Sequence, residues 1–289
     1  MPATSRLSIF ITQDISCFSC ALNRGDIISF MDSKKRQKIS IISTIHYFRL
    51  VYRSVLFILL LIEYILYRAG VHDFPEPGIG RQTAVSLIIW IIFAVEMIFR
   101  FFPSKYESPG CQKQFKRNYI KSGRTDIKIA DNNATVLVAL IWVVLNAAFG
   151  ALYMLDIFDK GIMFLLCVAY SVCDMICILF FCPFQSWLLK NKCCGSCRIY
   201  NWDYAMMFTP LFFIRGILTW SLLFLAVALL VRWEITFYKY PERFSENTNR
   251  YLECANCTEK LCVHKKQLGH LRKQIEDYTA KKLGRLKKE

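Results

Sequence analysis

Two kinds of residue in this sequence could do chemistry: charges set inside apolar runs, and cysteines at short spacing. Glu96, Asp174 and Arg215 each interrupt a run of otherwise apolar residues. A charge at the centre of a membrane helix costs about 2.5–3.5 kcal/mol or more unless it pairs or reaches water. Counted from the helix ends at about 1.5 Å per residue, all three lie roughly 9–12 Å inside the same boundary. The equal depth predicts a bridge from Arg215 to Asp174 with Glu96 close by, serving either as a lock on the bundle or as a path for a cation or proton. Cys167, Tyr170, Asp174 and Cys177 follow at offsets of three, four and three, which places them on one helical face toward Arg215 and Asn146. Glu63 and Arg100 lie nearer the helix ends, within reach of headgroups or loop water.

The cysteines offer soft-ligand chemistry. Cys254, Cys257 and Cys262 form C-x2-C-x4-C with His264 two residues beyond, and Cys193, Cys194 and Cys197 form CCGSC. A structural zinc ion takes four such ligands in tetrahedral array. The tail can supply Cys254, Cys257, Cys262 and His264 by itself, or Cys194 and Cys197 can join Cys254 and Cys257 in a joint site. Zinc is the first expectation and an iron–sulfur cluster the second. Cys17 and Cys20 have the same two-residue spacing. The alternatives are free thiols, acylation of Cys182, Cys193 or Cys194, and, for an external tail, a Cys254–Cys257 disulfide beside an Asn256–Thr258 sequon.

The elements that must position these residues are membrane helices. The 289 residues are 55% hydrophobic with a mean hydropathy of +0.32, too apolar for an ordinary soluble domain. The expected fold class is all-α, a multi-pass transmembrane bundle of about five helices with a basic amphipathic C-terminal helix. The helices are placed at about 47–68, 84–102, 135–156, 161–182 and 208–231. In the third, Ala147 and Ala151 have the four-residue small-side-chain spacing of a close helix contact. Residues 1–46 form an N-terminal tail, of which 1–30 read as optional and carry no cleavable signal pattern. Residues 47–232 form the bundle, and residues 233–289 a cysteine-containing basic tail with Leu268, Leu271, Ile275 and Tyr278 at heptad-like spacing.

The net charge of +15 comes mostly from bases between and beyond the apolar runs. Positive-inside bias explains that placement, so no nucleic-acid partner is expected. The Lys-rich connection 103–133 puts itself and the amino terminus in the cytoplasm of a cell-membrane protein. The fifth run then poses a conflict. A single span over 208–231, the favoured reading, leaves the basic tail outside; a re-entrant fifth run, broken near Pro210 and Gly216, leaves it inside.

IIWIIFAVEMIFRFFPSK resembles the second helix of voltage-sensor domains, where an acid and a base sit four apart as Glu96 and Arg100 do. None of the runs carries Lys or Arg at every third position, so no family is assigned. The sequence contains no phosphate-binding loop, dinucleotide fingerprint, H-E-x-x-H or G-x-S-x-G, and no catalytic class is favoured. The expected role is binding, scaffolding or regulation, with the C-terminal helix docking on a protein partner or anionic lipid of the bilayer. Small-ion transport through the charge cluster and membrane thiol or iron–sulfur redox chemistry are the rivals.

Overall fold

The computed structural model describes residues 40–70, 84–129, 131–191 and 193–261. The tail helix, Cys262, His264, Cys17 and Cys20 lie outside the described residues. Five long apolar helices dominate: α1 (Ile41–Arg68), α2 (Ala84–Phe99), α4 (Asn132–Met154), α5 (Lys160–Leu179) and α7 (Ile217–Lys239). Two short helices, α3 (Pro109–Gln112) and α6 (Asp203–Phe208), sit in the connections. The architecture is all-helical; among the described residues β pairing is limited to an isolated bridge between Lys121 and Asn249.

Local chemistry sets the helix limits. Asp131 accepts from the N–H of Asn133 to start α4, and Asp159 accepts from Ile162 at 2.9 Å to start α5. Short polar side chains at this position satisfy backbone donors that the helix leaves free. Gly70, with φ +74°, follows the last turn of α1 in the left-handed conformation that glycine adopts without strain. Four of the helices, α1, α4, α5 and α7, are long and apolar enough to cross a membrane, and α2 is a shorter apolar helix. Their outward faces are apolar, with Val51, Val55, Ile58 and Ile62 exposed on α1 and Val136, Leu140, Val143 and Val144 on α4. Such a surface suits lipid rather than water.

Pairings along the helices give their directions. Tyr64 meets Asp159 while Arg53 meets Ser171 and Asp174, so α1 and α5 are antiparallel. Trp90 bonds Ser221 while Arg232 bonds the carbonyl of Phe101, so α2 and α7 are parallel. Between α5 and α7 the chain descends through the bundle in pieces: a 3-10 turn (Tyr200–Trp202), α6, and a second 3-10 turn (Thr209–Phe213). Along this descent Tyr204 meets Glu96 and Phe208 packs on Phe93; Trp142 bonds Thr209, and Phe213 covers Gly150. A Cβ on Gly150 would sit 2.2 Å from the Phe213 ring, so the close approach is made by Gly150. Ala147 and Ala151, the small pair expected to make it, are exposed.

The expected fifth helix over 208–231 is therefore corrected. Pro210 and Gly216 divide the run, its first part completes a descent begun at Tyr200, and the continuous helix starts only at Ile217. The tail after α7 consequently returns to the end that carries the Lys-rich connection. Arg250 donates to the carbonyl of Ile120 at 2.7 Å, Ser122 N–H to Thr248, and Lys128 N–H to Ser245. Ser40, which caps α1, and Ser43 in its first turn donate to the carbonyls of Thr258 and Glu259 at 2.6 and 2.5 Å. Hydrogen bonds cannot span a hydrocarbon layer of about 30 Å, so the described tail and the connection 103–131 share one end. The favoured single span over 208–231 would have put the tail and this connection at opposite ends; they lie at the same one. Residues 100–129, 180–191, 193–202 and 240–261, with the first turn of α1, together form a cap at this basic end.

Candidate functional site

The functional candidate is a chain of ion pairs that begins in the cap and enters the bundle. On α1, His46, Arg49 and Arg53 follow at three and four residues and so share one face. Glu96 on α2 and Arg100, just past its end, are likewise four apart. α5 contributes Asp174, and the descending segment contributes Asp203 and Tyr204.

Arg53 is the hub, fully buried. Its Nη2 donates to Glu96 Oε2 at 2.8 Å and to the Tyr204 hydroxyl at 3.4 Å. Nη1 donates to Asp174 Oδ2 at 3.2 Å and to the carbonyl of Ser171 at 3.1 Å. The guanidinium also lies 5.4 Å from the Phe93 ring centroid. Glu96 accepts further bonds from Tyr52 and, at 3.0 Å, from Tyr204, and its other oxygen is 3.2 Å from Arg49 Nε. Arg49 continues outward as a two-pronged pair with Glu107, and beyond it His46 Nε2 lies 3.0 Å from Glu259 Oε1. Burial alone would raise the Glu107 carboxyl, but the Arg49 guanidinium outweighs it and holds the group below the usual carboxylate range. A parallel pair joins Arg100 to Asp203 at 2.6 Å, with the Arg100 guanidinium 4.5 Å from the Tyr204 ring centroid.

Glu96 and Asp174 thus meet on one cation, and that cation is Arg53 rather than Arg215. Arg215 precedes α7 and is exposed, because the helix starts after Gly216. Arg100 faces inward and is buried against Asp203 rather than reaching headgroups. On α5, Cys167 is buried and Tyr170 donates to Asn146 at 3.5 Å, as anticipated, whereas Cys177 is half-buried and the stripe's Asp174 meets Arg53 instead of Arg215. Arg49, Arg53, Glu107, Asp203 and Tyr204 are the participants that sequence reasoning missed. The three-and-four spacing of His46, Arg49 and Arg53 was the available signal.

No family model, curated protein or solved structure matches this chain. Function must be argued from the chemistry of its own residues.

The cysteine modules lie in the cap. Cys194 and Cys197 flank a turn closed by Cys197 N–H to Cys194 O at 3.1 Å, and Cys254 and Cys257 a similar one at 3.3 Å. Cys194 Sγ lies 3.1 Å from Gln185 Oε1, Cys197 is buried, and Cys254 is exposed. Among the described residues no group of three or more His, Cys, Asp or Glu side chains is arranged to hold a metal ion. The joint set of Cys194, Cys197, Cys254 and Cys257 is therefore not gathered. The tail set extends through Cys262 and His264, outside the described residues.

A second buried cation organises the cap. Lys113 is fully buried, its ammonium donating to the carbonyls of Cys197 at 2.7 Å and Gly195 at 3.0 Å. The rings of Trp233 and Phe244 lie 5.3 and 5.5 Å away. Burial pulls its pKa down to about 8.

Proposed function

We propose that this protein is a multi-pass membrane protein of binding or regulatory type that holds a folded basic cap on the cytoplasmic side. In this reading the chain crosses six times, five times as helices and once as the broken descent, and the start of α1 and the tail lie on one side. The observation that carries it is the cross-bracing of the cap. A tail and a loop more than a hundred residues apart in sequence are fixed together, with Lys116, Arg117, Lys121, Arg124 and Lys128 exposed on the loop. Exposed bases beside a bilayer favour the cytoplasmic side and attract anionic partners. The ion-pair chain serves as the internal lock that keeps the cap in register with the helices. The basic segment after Leu261 is the arm that docks on a protein partner or anionic lipid. A zinc ion on Cys254, Cys257, Cys262 and His264 would brace the root of that arm.

The test uses impermeant thiol labelling of intact cells expressing single-cysteine Lys121→Cys or Lys288→Cys proteins on a background without other reactive thiols. Both sites are expected to be protected until lysis; labelling at only one would refute the six-crossing arrangement. Deleting residues 269–289 is expected to release a co-purifying partner while leaving the bundle folded, and an unchanged partner set counts against the docking arm. Metal content of the purified protein decides the zinc site.

A specific observation favours transport as a second reading: ion pairs run in contact from Glu107 through Arg49, Glu96 and Arg53 to Asp174. Proton or cation flux in proteoliposomes that disappears in a folded Asp174→Asn protein would establish it over the lock.

A further inference from the structure

The end of α5 brings two thiols into hydrogen-bond contact, Cys177 in its last turn and Cys182 three residues past its end. We propose that Cys177 and Cys182 are a redox pair, in which hydrogen peroxide oxidises Cys182 and Cys177 closes a reversible disulfide. Residues five apart do not share a face of a regular α-helix. These two meet because the N–H groups of Phe180 and Phe181 both donate to the Ile176 carbonyl, at 2.8 and 3.3 Å, and this wider closing turn brings Cys182 back to Cys177. Pro183, which has no N–H, leads into a single short turn, Phe184–Leu188. Ser186 N–H donates to the Cys182 carbonyl at 3.0 Å and Gln185 N–H to Cys182 Sγ at 3.4 Å, so both the backbone and the sulfur of Cys182 are held in place.

The two sulfurs have different roles. Cys182 Sγ takes a backbone N–H as well as the contact with Cys177, and bonds donated to a sulfur favour the thiolate, the form that attacks an oxidant. Both cysteines are half-buried at the mouth of the helix, beside the exposed Phe180 and Phe181, within reach of a small oxidant. Cys194 is turned to Gln185 Oε1 at 3.1 Å, and Cys111, Cys167 and Cys197 are buried. The Cys182 thiolate attacks one peroxide oxygen and the O–O bond breaks; the released hydroxide recovers the proton that Cys182 had lost and leaves as water, with Cys182 now a sulfenic acid. The Cys177 sulfur attacks the Cys182 sulfur, the S–O bond breaks, and the Cys177 proton leaves with the hydroxyl as a second water. Two thiols are oxidised to a disulfide and one peroxide is reduced to two waters, and a thiol reductant reverses the change by exchange. This goes beyond the binding reading and rests on neither the number of crossings nor the docking arm; it places a regulatory input where α5 enters the cap.

The experiment is a titration of the purified full chain with hydrogen peroxide, followed by alkylation of the remaining thiols and mass spectrometry of chymotryptic peptides. Cleavage after Phe180 or Phe181 separates the two cysteines, so the bond is read as a linked peptide pair that dithiothreitol resolves. The wild type is expected to yield the Cys177–Cys182 pair before Cys193, a cap thiol that is also half-buried, is oxidised. Cys182→Ser is expected to lose the pair, and Cys177→Ser to leave a sulfenic acid at Cys182 that dimedone captures. Cys194→Ser is expected to form the pair as the wild type does. Absence of the linked pair, a Cys182–Cys194 link in its place, or oxidation of Cys193 ahead of the pair would overturn the proposal. Dimedone capture at Cys177 in Cys182→Ser equal to that at Cys182 in Cys177→Ser would overturn the assignment of Cys182 as the attacking thiol.

Discussion

Arg53 and Lys113 are both buried to the last atom, yet they are stabilised by opposite strategies. Arg53 lies within the apolar bundle and is surrounded by carboxylates, Glu96 and Asp174, with two tyrosine hydroxyls completing the shell around Glu96. Lys113 lies in the cap and has carbonyl oxygens and aromatic rings instead of a carboxylate. An arginine keeps its proton in any protein environment and must be given counter-charge. A lysine can give up its proton, so a site without an acid tolerates it at the cost of a lowered pKa. The bundle therefore contains a charge that is obligatory, and the cap one that is conditional.

The sharpest way to break this comparison is Arg53→Met. Removing the hub leaves Glu96 and Asp174 facing each other in a low-dielectric site, and a loss of about 3–5 kcal/mol is expected in thermal or denaturant unfolding of the purified protein. A variant as stable as wild type would mean the carboxylates are not held ionised by Arg53. Tyr204→Phe removes a hydroxyl that serves Glu96 and is expected to cost about 1.5–3 kcal/mol in the same assay, the range for a hydrogen bond to a charged group.

Lys113→Met should behave differently. Loss of the ammonium relieves a buried charge but orphans two carbonyls, so the net change near neutral pH is expected within about 1–2 kcal/mol. Its signature is in the pH profile. The folded-state pKa near 8 lies below the ordinary value of 10.5, so the unfolded chain binds more protons between them and cap stability rises with pH over that window. Hydrogen exchange of the cap amides measured from pH 7 to 10.5, after correction for intrinsic rates, is expected to show that rise in wild type and lose it in Lys113→Met. The smallest effect belongs to Arg215→Gln, expected within about 0.5 kcal/mol of wild type because the side chain is exposed. A loss comparable to that of Arg53→Met would return the hub to Arg215.

The legible part of the site was the part the bilayer makes expensive. Glu96 and Asp174 interrupt long apolar runs, and depth arithmetic brought them to a common cation. Arg53 escaped notice because it lies near the start of its run, in HYFRLVYRSVLF, where a base reads as a flanking charge. Only its spacing from His46 and Arg49 shows that it turns inward. Arg215 misled for the converse reason: Pro210 and Gly216 were visible, but hydropathy cannot tell a helix interrupted near its start from a separate crossing made of short turns. The basic cap was illegible altogether. Its contacts are between polar loops, and no periodicity in sequence records which loop meets which.

Those contacts also order events in time. Ser43 and Glu259, which bond in the finished cap, are 216 residues apart. At synthesis rates of about 5–20 residues per second, roughly 10–40 s pass between their appearances. Throughout that interval the first turn of α1, with Ser40, Ser43 and His46, waits without its partners while every later helix is inserted. Closure of the cap is therefore a late event that reports complete insertion of the bundle, and a nascent chain stalled before Thr258 presents an open polar seam at its membrane surface.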